Sequence, residues 1–471
     1  MKIEQIYTGC LAQGAYYICS NGEAAIIDPL RDINPYLEKL KKDNCVLKYI
    51  FETHFHADFV SGHLDLSKKT GAPIVYGPNA ACEFDCISAY DGQEFSIGKI
   101  KIRVLHTPGH TLESSCYLLF DEQGKEYAVF SGDTLFIGDV GRPDLAQKTV
   151  HMPKEKLAEL LYHSLRNKIM TLPDDVIVYP GHGAGSACGK NMSKETQSTI
   201  GEQKKTNYAL RINMSVDEFI KEVTSGLLPP PGYFEYNVLM NKKGYQSIDN
   251  VLKRGLVGLN PDDFEKVANQ TQCLILDTRN HDDFYKGFIP NAINIGLQGD
   301  FAPWVGSLIV DVNQPILLVT DEGNEEEAVV RLSRVGFDNV LGYLKGGFKS
   351  WLESQKEIDT VNRITADEFA NRVDVNRDKI IDVRKESEFA NEHILNAENK
   401  PLAYINEWTS ELDSKKHFYL HCGGGYRSMI AASILQARGF RNFSEIKGGY
   451  AAISKTSVPR TSFAWSSSFK N

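Results

Sequence analysis

The sequence predicts a multidomain α/β protein: one large sheet-based domain, then two small doubly wound domains. Three observations carry that reading. The chain has 471 residues, too many for a single hydrophobic core. Its second half contains two segments that read alike at a spacing of about a hundred residues. Its first half places histidine and aspartate loops at the ends of short apolar runs, which is how a rigid sheet presents a site.

Composition narrows the classes. Hydrophobic residues make up 42% and charged residues 24%, as in ordinary soluble globular chains. A net charge of −9 with no basic run argues against nucleic acid as a partner. No apolar stretch approaches the roughly 20 residues that span a bilayer, so no membrane partner is expected. Met1-Lys2-Ile3-Glu4-Gln5 has no apolar signal core and carries an early acid. Nine cysteines, odd in number and without paired spacing, predict no disulfide framework. The expected compartment is a reducing cytoplasm.

The strand-like run 47–51 leads into Thr53-His54-Phe55-His56-Ala57-Asp58-Phe59, followed by a helical pattern with Val60, His63, Leu64 and Leu66. Three more loops follow apolar runs. Thr107-Pro108-Gly109-His110-Thr111 comes after 102–105, Ser131-Gly132-Asp133-Thr134 after 127–130, and Tyr179-Pro180-Gly181-His182-Gly183 after 176–178. A lone histidine is more often structural. Loops of this kind in this order predict a metal site.

Other residues nearby are candidates. Arg142, in Gly138-Asp139-Val140-Gly141-Arg142-Pro143-Asp144, is a candidate contact for an anionic substrate; the alternative is an ion pair with Asp144 or Asp139. Cys188, just past His182 on a glycine-rich loop, is placed to relay or accept sulfur; the plainer alternative is a small packed side chain. Cys10, Cys19, Cys45, Cys82, Cys86, Cys116 and Cys273 carry no motif and read as structural. The turn Leu227-Leu228-Pro229-Pro230-Pro231-Gly232-Tyr233-Phe234 either covers the pocket, with Tyr233, Phe234 and Asn237 near substrate, or simply ends the domain. Linkers are expected over 242–258 and 354–363.

The repeat comes next. Ile275-Leu276-Asp277-Thr278-Arg279 echoes Ile381-Asp382-Val383-Arg384, and Lys345-Gly346-Gly347-Phe348 echoes Lys447-Gly448-Gly449-Tyr450. Between strand and helix the second copy carries Cys422-Gly423-Gly424-Gly425-Tyr426-Arg427. A thiol beside backbone N–H groups, a helix start and an arginine favours the thiolate, suited to accepting sulfur as a persulfide. Three consecutive glycines are costly in a core and useful around an anion. The first copy has Asp321 in place of the cysteine and Glu326 in place of the arginine, with Glu322, Glu325 and Glu327 nearby. That acidic loop is a poor place for a persulfide anion. It predicts a structural or docking role; the alternative is an acidic rim for a partner domain or a cationic ligand.

The cysteine loop resembles the active-site loop of the rhodanese family of sulfurtransferases, over about 360–455, together with Glu388-Phe389, His393-Ile394 and the closing glycine pair. The resemblance implies that Cys422 carries sulfane sulfur, stabilised by the amides of Gly423, Gly424, Gly425 and Tyr426 and by Arg427. The histidine loops resemble the metallo-β-lactamase superfamily, an αββα sandwich. Two-metal members carry His-x-His-x-Asp-His, and here Phe59 stands at the last histidine. That removes a ligand of the second metal and favours a single one. Within the superfamily the pattern is similar to the persulfide dioxygenase branch. This implies one non-haem Fe(II) per chain held by His54, His110 and Asp133, with His56, Asp58 and His182 around those ligands.

The expected layout is 1–245 for the metal domain, 259–355 and 362–456 for the degenerate and intact rhodanese copies, and 457–471 for a tail of undecided role. The expected function is oxidation of a low-molecular-weight thiol persulfide with O₂ to sulfite and thiol. Sulfur transfer through Cys422 then gives thiosulfate, a sulfide-detoxifying sequence whose thiol and direction stay open. The alternative is a thioester hydrolase of the glyoxalase II type fused to a sulfurtransferase. The resemblance implies a homodimer or tetramer.

Overall fold

The structure, a computed structural model, describes residues 1–147, 151–190 and 192–461. The tail proposed over 457–471 therefore lies mostly outside the described residues. The chain divides into two compact units: Met1–Asn250 with the short stretch Leu332–Gly336, and the remainder.

The first unit is built on two six-stranded sheets. One runs in order through Lys2–Thr8, Gln13–Ser20, Glu23–Ile27, Val46–Phe51, Ile74–Tyr76 and Ile87–Ser88. The other runs through Ser198–Thr199, Ile177–Pro180, Glu126–Gly132, Ser115–Phe120, Ile100–His106 and Glu94–Ile97. Alternation along the strands sorts the apolar side chains into layers. Tyr16, Ile18, Phe51 and Val75 of one sheet meet Ile102, Val104, Tyr117 and Phe130 of the other. Outside the second sheet, Leu118, Val129 and Val178 pack on helices Lys154–Ser164 and Val216–Thr224 through Leu157's neighbours Ala158 and Leu161 and through Phe219 and Val223. Outside the first, Tyr17, Ile26 and Ile50 pack on Tyr36, Leu40 and Leu66 of helices Asn34–Asp43 and His63–Thr70. The result is four layers, αββα.

The second unit holds two five-stranded sheets of the same order. The first copy reads Gly258–Leu259, Val340–Leu344, Ile316–Val319, Leu274–Asp277, Ile293–Asn294. The second reads Arg363–Ile364, Phe443–Ile446, Phe418–His421, Lys379–Asp382, Glu398–Asn399. Every pair within them is parallel. Parallel sheets bury both faces, so Ile316–Val319 and Phe418–His421 are buried throughout. The repeat extends to side chains: Arg279 pairs with Asp277 and lies 4.1 Å from the Phe348 ring centroid, and Arg384 pairs with Asp382 and lies 4.1 Å from that of Tyr450.

Two expectations need correction. The stretch 242–258 is not an open linker, because helix Ile248–Gly255 occupies most of it and Val251 is buried. Two cysteine pairs form disulfides, Cys19–Cys45 and Cys82–Cys86. Strand Glu23–Ile27 pairs with both flanking strands and so brings the first pair together at one sheet end. Chain spacing does not reveal that proximity. Among the described residues no helix is long and apolar enough to cross a membrane.

Candidate metal centre and sulfur-transfer loop

The four histidine and aspartate loops leave their strands at one end of the sandwich and converge. His54 follows Val46–Phe51, His110 lies between Ile100–His106 and Ser115–Phe120, Asp133 follows Glu126–Gly132, and His182 follows Ile177–Pro180. One ligating atom each from His54, His110 and Asp133 falls within 4.8 Å of the others, and all three are buried. Asp133 Oδ2 lies 3.8 Å from His54 Nε2 and 3.5 Å from His110 Nε2, and it has no hydrogen-bond partner.

The opposite atom of each ligand is anchored. His54 Nδ1 meets Thr53 Oγ1 at 2.9 Å. His110 Nδ1 meets the Arg142 carbonyl at 2.9 Å, which fixes the tautomer with Nε2 unprotonated. Asp133 Oδ1 takes a 2.8 Å bond from His182 Nδ1. Burial and the neighbouring His56 hold His54 well below the usual histidine range, so its nitrogen keeps a free pair. Burial alone would raise Asp133, but His182, His54 and His110 hold it well below the carboxylate range. Two imidazoles with anchored Nδ1 atoms and one unpartnered carboxylate oxygen suit a divalent cation with open positions on its remaining face. Gly181 lets the loops close: a Cβ there would sit 2.6 Å from Asp133 Oδ1.

His56 faces elsewhere. Its Nε2 lies 3.1 Å from Asp28 Oδ1 and 3.3 Å from Glu52 Oε2. Burial opposes its charge, yet those carboxylates push it up to about 10. Its ring stacks on Phe59 at 4.2 Å, and Phe59 is fully buried where two-metal relatives carry a ligand. Asp28, Glu52 and His56 thus make a third buried group whose ligating atoms lie within 4.8 Å of one another, separate from the His54, His110 and Asp133 triad. The Asn241 amide, on helix Phe234–Lys243, donates to the carbonyls of both His56 and Phe59 at 2.8 Å and fixes this loop.

Asp58, His182 and Cys188 form a second buried group with ligating atoms within 4.8 Å. His182 Nε2 lies 2.8 Å from Asp58 Oδ2, and Asp58 Oδ1 has no partner. Burial, with Asp58 and Asp133 nearby, pushes the Cys188 thiol well up. Tyr233 is buried, and its hydroxyl is raised by burial and then by Asp58 and Cys188, which puts it beside this group. Arg142 is committed: it grips Asp144 through two 2.7 Å bonds and donates to the carbonyls of Ala187 and Leu228. The ion-pair alternative describes it, and its carbonyl is what serves His110.

In the second unit Cys422 ends strand Phe418–His421 and is buried. Its Sγ accepts from the Gly425 amide at 3.1 Å and lies 3.4 Å from Ser428 Oγ. Gly425 reaches φ +110°, a conformation L side chains rarely adopt, so the amide can turn inward. Arg427 is held by Glu388 through bonds of 2.5 and 2.8 Å. Two cations still border the loop: Arg427 Nη2 lies 3.1 Å from where a Gly423 Cβ would stand, and Arg363 Nη2 lies 3.0 Å from where a Gly425 Cβ would stand. Tyr426 turns toward the first copy and donates to the Gly296 carbonyl at 2.8 Å. In the first copy Asp321 opens on a cleft lined by Arg279, Lys286 and Phe348.

Sequence reasoning missed Asp28, Glu52, Ser428, Glu445 and Arg363. Two signals were present. Asp28 ends the apolar run of Glu23–Ile27, and Glu445 is a carboxylate inside a strand that is buried throughout.

Comparisons with known proteins agree with this division. Residues 8–85 match the metallo-beta-lactamase superfamily, and residues 260–354 and 365–456 each match the rhodanese-like domain. The chain is 30% identical over 223 residues to the human mitochondrial persulfide dioxygenase, covering 47% of this chain and 79% of that one. It is 34% identical over 179 residues to a probable hydroxyacylglutathione hydrolase of Schizosaccharomyces pombe, covering 37% of this chain and 65% of that one. A solved structure of a metallo-beta-lactamase from Staphylococcus aureus matches with a TM-score of 0.64 and 31% identity, covering 73% of this chain and 98% of that one.

Proposed function

Because the chain belongs to the metallo-β-lactamase superfamily and carries two rhodanese-like domains, we propose that it oxidises a low-molecular-weight thiol persulfide with O₂ and passes sulfane sulfur through Cys422. The observation that supports this best is the triad of His54, His110 and Asp133, with its unpartnered carboxylate oxygen and its anchored outer atoms. A ferrous ion held there, one per chain, would supply open positions for persulfide and O₂ side by side.

The protein's own groups do the rest. Thr53 and the Arg142 carbonyl hold the two imidazoles in the ligating tautomer. His182 keeps Asp133 ionised and oriented, and Asp58 holds His182 from its other side. Burial of the whole group keeps bulk water out. The net reaction consumes persulfide, O₂ and water and yields sulfite and the free thiol. In the second unit, sulfite attacking the persulfide on Cys422 would leave as thiosulfate, with the Gly425 amide stabilising the departing sulfur. The partners in this proposal are small molecules: the persulfide, O₂, sulfite and thiosulfate. Cytoplasmic location and a homodimer or tetramer belong to the same proposal.

A second reading, a metal-dependent thioester hydrolase, draws on the 34% identity to the hydroxyacylglutathione hydrolase. Phe59 and the withdrawal of His56 to Asp28 and Glu52 weigh against it, because both subtract ligands from a two-metal hydrolytic centre. One experiment separates them: anaerobic metal analysis with O₂ uptake measured on glutathione, coenzyme A and bacillithiol persulfides. Uptake that requires iron is expected. Iron-loaded protein that consumes no O₂ with any of the three would sink the dioxygenase reading, and thioester cleavage by the zinc form would favour the second.

A further inference from the structure

Behind Cys422 lies a buried polar chain that the sulfur-transfer reading does not yet use. Ser428 Oγ, in the first turn of helix Tyr426–Ala437, lies 3.4 Å from Cys422 Sγ and 2.6 Å from Glu445 Oε1. The second distance is that of a hydroxyl against a carboxylate. Glu445 belongs to strand Phe443–Ile446 and has no solvent exposure. Its Oε2 faces Arg363 Nε at 2.7 Å on the adjacent parallel strand. Arg363, its side chain 2% exposed, reaches on to Asp282 of the first copy at 2.5 Å. A buried carboxylate is expensive, and a fold does not keep one beside a nucleophile's hydrogen-bond partner for packing alone.

We propose that Ser428 and Glu445 form a proton relay for Cys422, with Glu445 as the acceptor and Arg363 as the group that positions it. The inference rests on the sulfur-transfer reading of the Cys422 loop. The Ser428 hydroxyl can donate to Cys422 Sγ or, over the shorter distance, to Glu445 Oε1; in the relay it donates to Glu445 and so leaves its oxygen free to accept the Cys422 proton. When Cys422 attacks the outer sulfur of a persulfide donor, its proton moves to Ser428 while the serine proton moves to Glu445. A bond forms between Cys422 Sγ and that outer sulfur. The donor's own S–S bond breaks, and its electron pair leaves on the donor thiolate. Glu445 then holds one proton, both hydrogen bonds reverse, and the proton returns to the departing thiolate through the same chain or through solvent. Cys422 is oxidised to the persulfide level and the donor is reduced to its thiol, so no further reactant is required.

The surroundings suit this role. Burial pushes the Glu445 carboxyl up to about 7 while Arg363 and Ser428 pull it back, which places its proton exchange near neutrality. Other titratable groups border this side: His281 of the first copy brings its Nε2 to 3.3 Å from where a Gly425 Cβ would stand, and burial lowers that ring below the usual histidine range. Arg427 on the same helix is taken by Glu388. His421 on the neighbouring strand sits 3.8 Å from Asp382. Asp282 faces Arg363 from the first copy, with Lys447 beyond the strand end acting on it.

The test uses the full-length protein without oxygen, so that the metal site is idle. Glutathione persulfide is the donor, and sulfur arriving on the Cys422 peptide is timed by mass spectrometry across mildly acidic to mildly alkaline pH. Wild type should load faster as pH rises through about 7. Ser428→Ala, which leaves the Glu445–Arg363 pair intact, should load about tenfold to a hundredfold more slowly near neutrality and lose that rise. Glu445→Gln should do the same, and Ser428→Thr, which keeps a hydroxyl, should restore both rate and profile. A Ser428→Ala profile that overlays wild type overturns the relay, whether or not Glu445→Gln folds. A wild type that takes no sulfur on Cys422 overturns the sulfur-transfer reading itself, and the relay with it.

Discussion

His182 bridges two carboxylates: its Nδ1 donates to Oδ1 of Asp133 across 2.8 Å, and its Nε2 faces Oδ2 of Asp58 at the same distance. Burial opposes a charge on this ring, but Asp133 and Asp58 raise it well above the usual range. The ring therefore works as a clamp on Asp133.

That clamp can be removed. His182→Gln leaves Asp133 free to rotate, and outer groups of this kind typically support about 10–100-fold in metal affinity. The variant should lose iron to a chelator at concentrations that leave wild type loaded. His110→Ala, which deletes a ligand, should abolish O₂ uptake outright. Equal metal retention in His182→Gln and wild type would show that Asp133 holds its orientation without the bridge.

Phe59 is a second control point. Phe59→His puts an imidazole next in sequence to Asp58, which forms with His182 and Cys188 a group whose ligating atoms lie within 4.8 Å of one another. Elemental analysis of zinc-loaded protein should then show more metal per chain than wild type. Unchanged stoichiometry would mean that His56, held by Asp28 and Glu52, decides the metal count alone.

Cys422→Ser separates the two proposed activities. Oxygen uptake should persist, and sulfite should accumulate in place of thiosulfate. Thiosulfate production at the wild-type rate in this variant would remove Cys422 from the sequence of reactions.

Glu445 also predicts how stability responds to pH. Its carboxyl is pushed from 4.5 up to about 7 in the folded chain, chiefly by burial. A raised carboxyl pKa means the folded state binds its proton more tightly than the unfolded state. The contribution is fully present below about 4.5 and is lost as pH rises through about 7. The loss is on the order of 3 kcal/mol at most. Glu445→Gln does not titrate. Thermal melts should therefore show wild type losing ground to the variant between mildly acidic and mildly alkaline pH. Parallel pH dependence in the two proteins would contradict the shift.

Much of this was legible because each metal-site loop directly follows an apolar strand and each carries a ligand at a fixed place after it. His54, His110 and Asp133 are local signals of that kind. What sequence could not show are partners supplied from across a sheet. Asp28 and Glu52 take His56 away from the centre, and Arg363 reaches the Cys422 loop from the neighbouring strand beside Arg427. The disulfide pairs Cys19–Cys45 and Cys82–Cys86 depend on sheet pairing and a loop path that spacing does not encode. Arg142 was read by its charge, yet its carbonyl is the part that meets His110.

The hold of Asn241 on the His56 and Phe59 carbonyls sets a schedule for the newly made chain. The carbonyl of His56 waits for a donor 185 positions further along. At roughly 5–20 residues per second, a ribosome needs about ten to forty seconds to deliver it. The loop that bears His54 is thus synthesised long before the helix that braces it, and the brace closes only after His110, Asp133 and His182 have all emerged. Ligand geometry and its support arrive in that order, so metal capture in its final form belongs to the end of the first unit's synthesis.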